Sequence, residues 1–480
     1  MPDDRLPTRE PAAAGMSAER LEAIDRIVGR GIAGGGFPGA AVVIGHDGYA
    51  VLQKGYGHQD WQANSRPVSP EETMYDMASL TKVVATTTAA MILYDEGKLP
   101  LDAPVRQFIP EFTGGLKDKV TVRQLLLHRS GLPAGRVLWG KAKNPADAKR
   151  MEIASQIQCD PGSCFNYSDV GADMLGWVIE SIAHQSLDQF ATERVFTPLG
   201  MRDTHFRPDR LLRDRIAPTQ DESRRGYALR GEVQDESAYV LGGVVGHAGL
   251  FSTAADVALF AQMLLNNGQL NGRRIVAEST VRLFTKDVAD ARALGWETAN
   301  HVHGAGDLLG PHAYGHTGYT GTSIWIDPDR KLFIVILTNR TFAPHSRHPA
   351  DAIADVRNDV ADAATLAIAD EPSLANSVMP ASFRSDTAHT WNVGPRPAWR
   401  AAAEKRARVE AARRTNPDAA SVSRKAGAPN AGAASASPVA KPTASAGTPK
   451  PAASTPAPAR QAAAKPAPAP ISPTQRLPPA

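Results

Sequence analysis

Cysteine is scarce: Cys159 and Cys164 are the only two in 480 residues. So small a number excludes a disulfide-framed scaffold. Standing five positions apart, they leave two readings open, a pair of free thiols, which is favoured, and a local bridge. A metal site needs more ligands than these, and no others lie nearby in sequence. The chain also lacks any apolar run near the roughly 18 residues of a membrane span. Its opening stretch, MPDDRLPTREPAAAG, holds no apolar core of a secretory signal. The literal expectation is a cytoplasmic protein; a true start further upstream would fit a periplasmic or secreted one. Nor does one sign of charge dominate. The net charge is +3, but basic residues exceed acidic ones by eleven from Arg396 onward, so the remainder is mildly acidic. That balance gives no reason to expect a nucleic-acid partner.

What is present suits a folded protein of some size. A hydrophobic content of 42% is ordinary for a soluble chain and fills a sizeable core. Residues 1–16 read as a flexible arm. Ser17 to about Gly31 spaces Leu21, Ile24, Ile27 and Val28 on one helical face. Pro38 to Gly57 reads as a hairpin turned at His46-Asp47-Gly48. From Met74 the pattern becomes helical: Thr121 caps a helix through Leu126, 133–150 reads as loop, and Asp169 to Gln185 is amphipathic. Residues 203–240 are polar and read as a surface excursion. A helix is expected at Thr253 to Asn266, strands at Ser323 to Ile326 and Leu332 to Asn339, and a last helix at Asp351 to Ala369. The fold class expected is α/β (α+β): an antiparallel sheet built from both chain ends (17–75 and 242–375), flanked by helices, with a mainly helical region (76–241) inserted. Residues 376–480, dominated at their far end by Ala, Pro, Ser, Lys and Gly, are expected to be a disordered tail able to touch anionic surfaces weakly.

Three short stretches carry chemistry. The first is Ser79-x-x-Lys82. Positions i and i+3 share a helix face, so hydroxyl and amine become neighbours. An amine that is partly desolvated and held neutral can take the serine's proton. The second is Asn166-Tyr167-Ser168-Asp169, just before a helix. The Tyr167 phenol can share a proton with a lysine, while Asp169 is the natural helix cap. The third is Tyr314-Gly315-His316-Thr317-Gly318-Tyr319-Thr320-Gly321-Thr322, leading into a strand. Its glycines allow a substrate close to the strand edge. A free N–H of that edge, paired with that of Ser79, would hold an oxyanion, and His316 beside it is a donor or a switchable charge.

In this order, Ser79-x-x-Lys82, Tyr167-Ser168-Asp169 and His316-Thr317-Gly318 resemble the serine penicillin-recognising superfamily of class C β-lactamases, D-alanyl-D-alanine carboxypeptidases and related esterases. Flanking stretches resemble it too: LLLHRSGLPAG, FTPLGMRDTHF, and GHAGLFST from Gly246 to Thr253. The likeness covers about residues 17–370. It implies a serine hydrolase working through an acyl-enzyme, with Ser79, Lys82 and Tyr167 catalytic and His316, Thr317, Gly318, Tyr319 and Asp169 contacting substrate. It implies no cofactor and no metal; the partner is a small ester, amide or peptide. Two departures bear on the substrate. Asp169 stands where the family often has Asn, and His316 where many β-lactamases have Lys. A histidine near its reference pKa is mostly uncharged at neutral pH and grips a carboxylate weakly. An esterase or D-amino-acid peptidase is therefore expected, with weak or no β-lactamase activity. The alternative is a non-catalytic receptor for cell-wall fragments, or a scaffold of the same fold.

Overall fold

The structure, a computed structural model, describes residues 5–220, 223–299, 304–343, 346–369, 371–374, 377–386 and 391. Its frame is an antiparallel sheet of six strands among the described residues: β1 (Gly39–His46), β2 (Tyr49–Gly57), β3 (Glu297–Thr298), β4 (Tyr314–Thr317), β5 (Ser323–Asp327) and β6 (Leu332–Thr338). The spatial order is β2-β1-β6-β5-β4-β3. Both chain ends thus meet at the β1–β6 pair, where Ala40 faces Thr338 and His46 faces Leu332. The β1–β2 turn places Asp47 and Gly48 both at positive φ (48° and 92°), the conformation that matches strand twist in a tight hairpin.

The central strands β1 and β6 are apolar up to their last residues, His46 and Thr338, because both faces are covered. Ala40, Val42 and Ile44 of β1, with Leu332, Ile334 and Ile336 of β6, belong to one core. The alternate residues Ala41, Val43, Phe333, Val335 and Leu337 belong to another. The helices that cover them and build the site are α1 (Ala23–Ala33), α2 (Thr88–Asp95), α3 (Val122–Leu126), α4 (Pro145–Ile153), α5 (Asp169–Ala183), α6 (Ala254–Leu265) and α7 (Pro349–Leu366). Helices α1 and α7 pack on the first core; α2, α5 and α6 contribute to the second, larger one. Thr121 caps α3 with a complete capping box, its side chain accepting from the Gln124 N–H. Among the described residues no helix is long and apolar enough to cross a membrane.

Four expectations are corrected. The described part of the N-terminal arm is tied down: Thr8 bridges Ala50, Met16 bridges Ile368, and Leu6, Ala14 and Met16 are buried. The stretch 133–150 is not all loop, because Asn144 caps α4 and Pro145 occupies its first turn. The 203–240 excursion is not all surface, since Ile216 and Ala217 are buried and Met74 bridges Ile216. The folded part also passes residue 375: Phe383 and Trp391 are buried in the α1–α7 core. The rest of the expected tail, 376, 387–390 and 392–480, lies outside the described residues.

Candidate active site

Ser79 follows a short strand, Tyr75–Asp76, which pairs with Phe251–Ser252. Between them Ala78 is held at φ +45° while its N–H donates to Asp76 Oδ1 (2.9 Å). A left-handed alanine costs of order 1–3 kcal/mol, a strain that persists where a position is functionally constrained. Ser79 then opens a helical turn that widens over Lys82–Thr87, with i→i+5 spacing, before α2 begins. Lys82, only 4% exposed, reaches back so that Nζ donates to Ser79 Oγ at 2.9 Å.

The second stretch arrives from α5. Ser168, not Asp169, is the cap: its Oγ accepts from the Gly171 N–H (2.9 Å) and donates to the Pro133 carbonyl (2.6 Å). Asp169 is thereby the first residue of the helix, and its Oδ1 forms an ion pair with Lys82 Nζ at 2.7 Å. Tyr167 lies across the same amine, its ring centre 4.9 Å from Nζ, and packs at a tilt of 37° against His128 with centroids 4.5 Å apart. Chain leading to Tyr167 is closed by a Cys159–Cys164 disulfide, which corrects the favoured free-thiol reading. The turn at Gly162, φ +89°, brings the two Cα atoms to 6.5 Å.

The expected neutral lysine is also corrected. Burial alone would lower the Lys82 ammonium, but Asp169 and Tyr167 outweigh it and raise it above its ordinary value. Burial likewise pushes the Asp169 carboxyl up, yet Lys82 and His247 overcome this and hold it below the carboxylate norm. At neutral pH the two form an ammonium–carboxylate pair.

The third stretch is pinned to the chain just ahead of Ser79. Thr320 Oγ1 donates to the Asp76 carbonyl (2.6 Å) and Thr322 Oγ1 to that of Met77 (3.0 Å). From behind, buried Arg357 on α7 donates to the carbonyls of Gly318 (3.0 Å) and Thr322 (2.7 Å). A Cβ at Gly318 would stand 2.7 Å from the Met77 oxygen, so only glycine allows this approach. Among the described residues, the backbone N–H groups of Ser79 and Tyr319 donate to no protein acceptor. The Tyr319 ring projects outward against Arg340. His316 on β4 is 1% exposed, with Nδ1–H donating to the Thr317 carbonyl (2.8 Å). Burial, reinforced by Arg292, depresses it far below its ordinary value, so it is a neutral imidazole and not a switchable charge.

Several residues here escaped the sequence reading. Arg292 places its guanidinium 5.4 Å from the Tyr167 ring centre and pairs with Glu297 Oε1 of β3 at 3.0 Å. Its Nη1, Glu297 Oε2 and His316 Nε2 are buried without hydrogen-bond partners. Nothing in a sequence marks Arg292, which belongs to no motif. His247 lies in GHAGLFST, a stretch singled out for its family likeness and given no role. Its ring is held between Asp173 of α5 and Asp235 (2.8 and 3.1 Å), and its carbonyl lies 3.3 Å from Lys82 Nζ.

Fold and site together are those of a hydrolase built on the β-lactamase architecture. The Beta-lactamase family profile matches residues 24–358, and the chain belongs to that family. It is 35% identical over 369 residues to a Bacillus subtilis (strain 168) protein named N-acetylmuramyl-L-alanine amidase, covering 69% of this chain and 83% of that one. A protein of Escherichia coli (strain K12), provisionally named a D-alanyl-D-alanine carboxypeptidase, is 34% identical over 378 residues, covering 71% and 86%. A solved family VIII carboxylesterase superposes with a TM-score of 0.58 over 73% of this chain and 98% of its own, at 23% identity, a likeness of fold.

Proposed function

We propose that the protein cleaves an amide or ester through an acyl-enzyme on Ser79. The observation that carries this is the 2.9 Å contact between Lys82 Nζ and Ser79 Oγ, inside a site where Asp169 and Tyr167 also meet that amine. Ser79 Oγ bonds to the substrate carbonyl carbon. Its proton passes to Lys82, which in the same step yields one of its own to the Asp169 carboxylate, so no net charge is created. The free N–H groups of Ser79 and Tyr319 stabilise the oxyanion. When the intermediate collapses, the bond to the amine or alkoxide breaks, and the leaving group takes a proton from the Lys82–Tyr167 unit. Water then attacks the acyl carbon and loses its proton to the same unit; the bond from the acyl carbon to Ser79 Oγ breaks as Ser79 takes back, through Lys82, the proton held by Asp169, which restores the ammonium–carboxylate pair.

Neutral His316 offers no cation to a substrate carboxylate. Arg292 supplies one beside it, with Nη1 buried and unpartnered. This favours a substrate carrying a carboxylate, of the amide or peptide kind that the names of the amidase and carboxypeptidase relatives give, over an uncharged ester. The test of the core reading is labelling with a fluorophosphonate. Wild type is expected to take one label and Ser79→Ala none; equal labelling of both sinks the proposal.

A further inference from the structure

Behind Lys82 stands a buried set of titratable side chains that the chemistry above does not use. His247 is 3% exposed and Asp173 and Glu152 are 0% and 1%. The His247 ring serves two carboxylates at once: Nδ1–H donates to Asp173 (2.8 and 2.9 Å to its two oxygens) and Nε2–H faces Asp235 Oδ1 at 3.1 Å. Nδ1 carries a proton for Asp173, and the Asp235 carboxylate, an ion-pair neighbour, favours a second on Nε2. Burial would strip one away, but Asp173 and Asp235 outweigh it and keep the ring an imidazolium. Glu152 of α4 backs Asp173. Burial and the Asp173 charge push its carboxyl up to about 9, so at neutral pH it holds a proton to share with Asp173.

These contacts also lock a piece of main chain. The His247 N–H donates to Asp173 Oδ1 (3.1 Å), and the Gly246 carbonyl accepts from Thr86 Oγ1 (2.7 Å). Gly246 lies so close to α5 that a Cβ would meet the Ala172 oxygen at 1.9 Å. The carbonyl of His247, fixed in this way, faces Lys82 Nζ.

We propose that the Asp173–His247–Asp235 clamp is a positioning device for Lys82. It presents the His247 carbonyl, which with Asp169 takes two of the N–H directions of the amine and reserves the third for Ser79 Oγ. The geometry of nitrogen explains the use. An ammonium has three N–H groups and here four neighbours, Asp169, Tyr167, the His247 carbonyl and Ser79, so a fixed carbonyl decides which of them are served. When Lys82 passes a proton to Asp169, rotation about Cε–Nζ sets its two remaining N–H groups on the Asp169 oxygens and the carbonyl and turns the lone pair to Ser79. Without the carbonyl the head group is free to turn toward Tyr167, and the lone pair is lost to Ser79. His247, Asp173 and Asp235 therefore act through Lys82 and touch no substrate.

This inference rests on the reading of Ser79 as nucleophile, and its test keeps the two apart. Turnover of p-nitrophenyl acetate is measured per active site, counted by fluorophosphonate labelling carried to completion. Asp173→Asn keeps an acceptor for the His247 N–H and ring and is expected to retain kcat within about 3-fold, because a neutral hydrogen bond can hold the same geometry. Asp173→Ala removes the acceptor and is expected to lower kcat by about 30- to 100-fold with KM little changed, the size of loss that slight misplacement of a reacting group produces. Should that variant not fold, Asp173→Leu with His247→Leu replaces the buried charged pair by apolar residues, an exchange cores often accept. It is expected to show the same loss in kcat. Wild-type kcat per site in either folded variant overturns the clamp. Failure of wild type itself to label removes the reading of Ser79 and the clamp with it.

Discussion

Asp169 shows how one position decides the chemistry of a neighbour. A cap one residue later would have aimed its carboxylate at the helix N–H groups; with Ser168 as cap, Asp169 turns to Lys82. Asp169→Asn removes the charge that holds the Lys82 proton, while the burial that favours the neutral amine stays. The rising limb of kcat/KM against pH for a p-nitrophenyl ester is expected to move to lower pH; an unmoved limb contradicts the pairing. Arg292 makes a second claim at this scale. Arg292→Ala is expected to raise KM about 10-fold or more for D-alanyl peptides with a free carboxylate, as loss of a charged hydrogen bond does. On p-nitrophenyl acetate, which lacks that group, it should act little; equal effects on both would sink the role. Ser79, Lys82, Tyr167 and His316 were legible because each sits in a motif with its own chemistry. Arg292, His247 and Asp235 were not, because their roles arise from long-range packing that leaves no local spacing to read.

At the level of elements, sequence and structure agree where a segment's burial is uniform or periodic. β1 and β6 are apolar along nearly their whole length because both faces are covered, and α1 and α5 keep a helical stripe. The differences come from segments whose partners are distant. α4 is polar along much of its length, so no apolar stripe marks it as a helix, yet it delivers Glu152 to the buried clamp. The short strands β3 and β4 are defined by pairing with β5 and with each other more than by their residues. The segment after α7 looked too poor in apolar residues to pack, but two aromatic side chains suffice. Trp391 is 1% exposed, donates Nε1–H to Asp355 (2.7 Å) and presses on Gly34, where a Cβ would meet its ring at 2.7 Å. Trp391→Ala is expected to cost about 3–5 kcal/mol, as for other large buried aromatics. The readout is urea unfolding; a loss under about 1 kcal/mol would mean that the segment does not hold the core. Activity of the folded protein should not change, since this core lies across the sheet from the one holding Ser79's flanking residues Met77 and Leu80.

Over the whole molecule, the buried acids set how stability follows pH. Glu152 is raised from 4.5 to about 9, Asp76 from 3.8 to about 6 and Asp256 from 3.8 to about 7, each with burial as the leading cause. A raised acid keeps its proton in the folded state after the unfolded chain has lost it. Its stabilisation is complete below the unfolded value and falls as pH rises toward the folded one, by up to about 1.4 kcal/mol per pH unit for one group. Glu152 has the widest window, so Glu152→Gln is expected to flatten the fall in Tm between about pH 5 and 9 relative to wild type; parallel curves would contradict it. The central claim is that three distant segments converge so that Ser79 is acylated with help from Lys82 and Tyr167. It is tested most directly by intact-mass and peptide-mapping mass spectrometry on protein quenched during turnover of a p-nitrophenyl ester. A single acyl adduct on the peptide bearing Ser79, absent from Ser79→Ala, is the result predicted here. No adduct at any quench time, or one on another residue, contradicts the account.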